Sequence, residues 1–231
     1  MVTRAVAGFL PSISGFRFPN AFPRVPVRRI GIPGVLSLPI GDASNGLCGG
    51  MAFAVRDYFE AGRTPAPATA PPSEGPLFDY LVDRLFDSFD LPLGPVLYLK
   101  LMSPLLPDGE SFWSRVGLAP HGRAWQMVHE EWPKVRDEIG AGHPSPLGLI
   151  RARSNDPFDL KENHQVLAYG YDLDGDLLTL HLYDPNRPGR DDVRMSLSLA
   201  EPARATTVTF RPPGPAVYAF FRVTYRPVDP P

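Results

Sequence analysis

Residues 164–184 read HQVLAYGYDLDGDLLTLHLYD. A strongly apolar run, Gln165 to Tyr171, leads into Asp174-Gly175-Asp176, and then Leu178, Leu180 and Leu182 alternate with other residues. Alternation with period two is the mark of a strand, and an Asp-Gly step between two such runs marks a hairpin turn. The stretch therefore predicts two antiparallel strands, 164–172 and 177–184. Downstream, residues 147–153, 192–199, 205–211 and 216–226 also predict strands, with alternation clearest at Val208 and Phe210.

Upstream the periodicity changes. Leu47, Met51, Ala54, Val55, Tyr58 and Phe59 form an i, i+4, i+7, i+8 stripe, which predicts a helix over 47–61, capped by Ser44 or Asn45 and ended by Gly62. Residues 63–73 are a Pro/Ala/Thr loop. Pro76 suits a first helical position and opens a second helix to about Phe89. Shorter helices are expected at 95–103 and 109–116. Residues 121–140 carry helical spacing, but Pro133 divides them into two helices. Trp113, Trp125 and Trp132 lie at helical spacing and are expected in the core. Helices first and an antiparallel sheet afterwards make the fold class α+β. Residues 1–44, rich in Pro and Gly with Phe9, Phe16, Phe18 and Phe22 among them, read as an extended arm on that core. Residues 45–231 read as one domain, helical over 45–143 and sheet over 144–231.

The chain has 231 residues, 43% hydrophobic and 21% charged, which is the balance of a globular protein. Its 23 basic and 25 acidic residues give a net charge of −2, so no general attraction to nucleic acid is expected. Apolar runs reach only about ten residues where a membrane span needs about 20. Neither a membrane segment nor a secretory signal is read, and a cytoplasmic location is expected. The single cysteine, Cys48, excludes an internal disulfide and a multi-cysteine zinc site.

Cys48 stands at the first turn of the first predicted helix, in Asn45-Gly-Leu-Cys-Gly-Gly-Met51. A helix N-terminus favours a thiolate. Gly49 and Gly50 follow it, where glycine is poor in helices. They read either as close approach at the sulfur or as tight helix packing around a small buried cysteine. A thiolate nucleophile needs a base. His121, His129 and His143 sit among polar neighbours and are expected in solvent, and His181 faces opposite Leu180 and Leu182. His164 opens the apolar strand directly after a polar loop. With the turn centred on Asp174, antiparallel pairing sets His164 across from Asp184. A carboxylate there would fix the imidazole tautomer and stabilise its charged form. Alternatively, Asp184-Pro-Asn-Arg-Pro-Gly189 is only a turn ending a strand. The Asp172, Asp174, Asp176 cluster resembles the start of a calcium loop, but Tyr183 occupies the place of its last ligand, so a charged hairpin tip is the reading. No phosphate loop or nucleophilic-serine elbow is present, and no cofactor or metal is called for.

A cysteine at a helix start, Asn163-His164-Gln165 opening a strand and Tyr183-Asp184-Pro-Asn186 ending the next resemble a papain-like cysteine peptidase, and the compact C39-like peptidases in particular. The resemblance spans about residues 44–190. It implies a helical part carrying the cysteine, a sheet carrying the histidine and its orienter, and a cleft between them. By position, Cys48 would be the nucleophile, His164 the general base and acid, and Asp184 the orienter, with Asn186 the alternative orienter. The family places a glutamine a few residues before the cysteine as an oxyanion-hole donor. Residues 42–47 hold none, and Asn45 with the Cys48 N–H is the candidate in its place. The expected activity is hydrolysis or acyl transfer on a peptide or a small amide or thioester. An inactive papain-like module that binds a peptide or partner protein is the alternative. A zinc or iron site on Cys48, His164 and a carboxylate is a third reading, without any closely spaced ligand pair.

Overall fold

A computed structural model of the chain describes residues 1–23, 46–91 and 93–231. Asn45 and the boundary near residue 44 lie outside the described residues. The architecture is mixed helix and antiparallel sheet, with the sheet curled into a half-barrel. Among the described residues the helices are α1 (Pro11–Ser14), α2 (Cys48–Glu60), α3 (Pro76–Asp87), α4 (Leu93–Met102), α5 (Phe112–Arg115), α6 (Arg123–Trp125) and α7 (Trp132–Gly140). The strands are β1 (Val2–Ala5), β2 (Ser145–Ile150), β3 (His164–Asp174), β4 (Leu177–Tyr183), β5 (Arg194–Ser198), β6 (Thr209–Arg211) and β7 (Ala219–Arg222). No helix among the described residues is long and apolar enough to cross a membrane.

The sheet runs β6-β5-β4-β3-β2-β7, every pairing antiparallel. β1 also pairs with β3. The eleven-residue β3 is long enough to hold two partners on one edge: β2 along His164–Ala168 and β1 along Gly170–Leu173. The start of the expected arm is thus a strand of the sheet. The next residues stay on the core, with Phe9, Phe16, Phe18 and Phe22 all buried. β2 and the first eight residues of β3 are buried on both faces, the pattern of central strands covered on each side. β4 alternates, with Leu178, Leu180 and Leu182 inward, so its other face stays in partial contact with solvent.

α2 is buried nearly all round because α3 covers one side and β3 another. Its buried charges are paired: Asp57 with Arg84 at 2.7 Å and Arg56 with Glu60 at 2.7 Å. Gly49 and Gly50 answer to this packing. A Cβ on Gly50 would run into the Leu81 carbonyl of α3, and one on Gly49 into Ser88 Oγ and, at 2.9 Å, Gln165 Oε1. They admit close neighbours behind the helix, so the packing explanation applies.

Pro133 does not split 123–140 into separate helices. The chain instead passes through a π-helical turn, Gln126–Glu131, between α6 and α7, and Trp132 N–H bonds the Met127 carbonyl five residues back. The wider turn absorbs the donor that proline lacks. Trp132 is buried in the core as expected, but Trp113 is 59% exposed and Trp125 lies at the surface, stacked on His121 with ring centres 3.6 Å apart.

Candidate active site

Cys48 is the first residue of α2. Its helix start has no side-chain cap, so the first N–H groups are free to face the sulfur. The Gly49 N–H and, from β3, the Gln165 N–H lie near enough to it to favour its charged form. Asn20, from the N-terminal segment, fixes the preceding residue: its Oδ1 accepts the Leu47 N–H at 2.6 Å. Gly46, at φ 90°, provides the left-handed turn that brings the chain against Asn20.

His164 opens β3 and is 3% exposed, while Cys48 stays partly accessible. The imidazole lies between two partners. One is the Cys48 thiol, in hydrogen-bonding and Coulombic contact with the ring. The other is Asp184, whose Oδ1 accepts from Nε2 at 2.7 Å. With Nε2 so engaged, Nδ1 is the nitrogen left for the sulfur.

The Asp184 carboxylate reaches the ring by a route other than the expected register. The hairpin loop is Gly175-Asp176, closed by Asp174 opposite Leu177, with Gly175 at φ 57° taking the left-handed first position. A bulge at Tyr169 then shifts the pairing by one residue. Continued from Leu167 opposite Tyr183, the register sets residue 164 level with residue 186. The strand ends at Tyr183, however, and the chain turns. Arg187 N–H bonds the Asp184 carbonyl at 2.8 Å, and Asn186 N–H bonds Asp184 Oδ1 at 2.9 Å. This is a β-turn with an Asx-turn inside it, the conformation that Asp-Pro-Asn favours. The turn aims the carboxylate back at His164. The two readings of Asp184-Pro-Asn, orienter and turn, describe one structure.

Asn186 is secondary at the ring: its Nδ2 stands 3.5 Å from His164 Nε2, while its Oδ1 accepts from Asn20 Nδ2 at 3.2 Å. Asn20 N–H also bonds the Pro185 carbonyl at 2.9 Å. Asn20 therefore ties the residue before Cys48 to the turn after Asp184. No sequence signal pointed to it, since nothing local distinguishes an asparagine in a Pro-rich segment.

Electrostatics follow from these contacts. Burial pushes the Cys48 thiol up, but the hydrogen bond and charge of His164, with the two backbone N–H groups, outweigh it and hold the thiol below its ordinary value. Burial pushes His164 down, yet the Asp184 and Cys48 hydrogen bonds and charges raise it to about 9. Burial likewise pushes Asp184 up, and His164, the Asn186 N–H and the Arg151 charge pull it below the usual carboxylate range. These contacts favour the charged forms together, a thiolate beside an imidazolium backed by a carboxylate.

Behind the sulfur lies a buried polar group that sequence reading missed: Gln165, Ser88 and Tyr98. Gln165 Nε2 donates to the Ser88 carbonyl at 3.3 Å. The Tyr98 phenol is pushed far up, by burial and by the nearby Cys48 charge. A Cβ on Gly148, opposite Gln165, would stand 2.7 Å from the Tyr98 hydroxyl. The signal for Gln165 was present, a polar residue inside a run buried on both faces. The other histidines stay apart. His121 bonds Glu110 at 2.8 Å, His143 bonds Glu60 at 3.0 Å, and His129 is exposed. His181 bonds Asp172 at 2.7 Å. No group of three His, Cys, Asp or Glu among the described residues is arranged to hold a metal ion.

Comparison of the chain with protein-family models, with curated proteins and with solved structures finds no match. The geometry alone carries the functional reading.

Proposed function

We propose that the protein is a cysteine-dependent hydrolase or acyl transferase of papain-like design, acting on an amide, peptide or thioester bond. The observation that carries this reading is His164, held between a partly accessible thiol at a helix start and a buried carboxylate. A helical part that carries the cysteine and a sheet that carries the histidine support the papain-like comparison.

The Cys48 thiolate attacks the carbonyl carbon and forms a C–S bond, and the electron pair moves to the oxygen. The uncapped N–H groups at the start of α2 support this step as donors for the charge that develops on that oxygen. As the tetrahedral species collapses, the C–N or C–S bond to the leaving group breaks. The His164 imidazolium gives its proton to that group, and an acyl-enzyme remains. Water or an amine then loses a proton to His164 and attacks the acyl carbon, which releases the product and the thiolate. Asp184 keeps the ring oriented and its cationic form stable throughout.

Iodoacetamide tests the reading. At pH 6 an ordinary thiol, with a pKa of about 8.5, is almost wholly protonated and labels slowly. Cys48 of the folded protein should label fast, and a His164→Ala variant should label slowly. Slow labelling of the folded wild type, rising only on denaturation, would leave the alternative of a peptide- or partner-binding module without nucleophilic chemistry.

A further inference from the structure

We propose that Arg151 is a specificity-determining residue that binds a carboxylate of the substrate beside Cys48, so the bond attacked lies next to an anionic group. This inference rests on the reading of Cys48 as a nucleophile. Leu149 of β2 pairs with His164, and Arg151 follows directly beyond the end of that strand at Ile150. Asn163, immediately before His164, pins it there, its Oδ1 accepting the Arg151 N–H at 2.9 Å. Arg151 is near enough to both Asp184 and Cys48 for their charges to act on it.

The neighbouring arginines are occupied. Arg187 Nε stands 3.6 Å from Asp184 Oδ2, and its Nη2 donates to the Pro213 carbonyl at 2.7 Å. Arg123 bonds Asp108 at 2.9 Å, and Arg153 pairs with the same carboxylate. Among the described residues Arg151 has no ion pair, and its Nε is buried without a hydrogen-bond partner. The side chain as a whole is partly exposed.

Charge balance gives the ligand class. With Cys48 read as a thiolate, Cys48 and Asp184 carry two negative charges against three positive ones on His164, Arg187 and Arg151. Of those three cations Arg151 is the one without an ion pair among the described residues, and one positive charge is left over. A buried guanidinium N–H without an acceptor is costly, and a carboxylate offers planar, bidentate relief. The guanidinium cannot deprotonate in this range, so the preference holds across the pH range of the chemistry.

Paired alkylating agents test this at Cys48. Iodoacetate and iodoacetamide form the same S–C bond and expel the same iodide, and they differ in carrying a carboxylate or a neutral amide. Rates are taken on the full chain for wild type, Arg151→Gln and Arg151→Lys. The iodoacetate-to-iodoacetamide ratio should fall about tenfold in Arg151→Gln, and Arg151→Lys, which keeps the charge, should retain more of it. Added salt should shrink the wild-type ratio more than that of Arg151→Gln. A general disturbance of the site would slow both reagents equally and leave the ratio unchanged, and that result overturns the proposal. N-iodoacetylglycine and the α-amide of N-iodoacetyl-aspartic acid, compared with neutral N-iodoacetylglycinamide, separate a terminal from a side-chain carboxylate. Selection of either by Arg151 supports the proposal and names the source, and selection of neither overturns it. Fast iodoacetamide labelling with a charge-blind ratio removes only the Arg151 assignment. Slow labelling by every reagent removes the nucleophile reading, and this one with it.

Discussion

Asp184 Oδ1 lies 2.7 Å from His164 Nε2, although the strand register sets residue 186 level with residue 164. The Asx-turn at Asp184-Pro185-Asn186 makes the contact, and strand pairing does not. A carboxylate aimed by its own turn depends on few other residues.

Replacement of Asp184 by Ala should therefore slow pH 6 alkylation of Cys48 by at least about tenfold, since each pKa unit of lost thiolate stabilisation is a factor of ten. Asn186→Ala keeps the backbone N–H that holds the carboxylate and should cost much less. Alkylation rates of the two variants check this. A larger effect in Asn186→Ala would give the orienter role to the amide.

His164 should titrate with a pKa of about 9, raised from 6.5 by Asp184 and the Cys48 thiolate against the opposing effect of burial. Below that value the ring is charged and can protonate a leaving group, and above it the acid is lost. Turnover should thus rise through the lowered Cys48 pKa and fall through about 9, a bell whose limbs belong to the pair. Ring-proton NMR of wild type and Cys48→Ser measures it. The His164 value should drop in the variant, where no thiolate supports the cation.

Gly50→Ala should destabilise the fold by about 1–3 kcal/mol, because its Cβ meets the rigid Leu81 carbonyl of α3. Gly49→Ala meets the ends of Ser88 and Gln165, which can move, and should cost less. Denaturant unfolding of both variants checks the order.

Asn20→Ala removes the acceptor of the Leu47 N–H and the link to Asn186, and should cost about 1–3 kcal/mol as an unmet donor at the helix start. Asn20→Asp keeps the acceptor and should restore most of that stability in the same unfolding measurement.

Much of this was legible along the chain. Strands β2 to β7 and helices α2 to α4 fall on stretches that local pattern, apolar runs and turn residues mark out. What is not local was not legible. β1 joins the sheet because β3 is longer than β2, a fact about two distant segments. The bulge at Tyr169 moves every later pair by one residue, and no turn residue announces it. Pro133 signals a break, but the chain has the cheaper option of a π-helical turn. In the site, Cys48, His164 and Asp184 stand in motifs with chemical meaning. Asn20 and Arg151 come to the site by contacts between distant segments that only the folded chain makes.

The pKa of Cys48 tests the account most directly. Ultraviolet absorbance of the thiolate, followed against pH, reads it in the folded protein, with Cys48→Ser as the blank and the unfolded chain as reference. The expected result is a folded midpoint below the ordinary thiol value of about 8.5, moving upward in His164→Ala. A folded midpoint at or above that value, unchanged by His164→Ala, would contradict the ion pair on which the proposed chemistry depends.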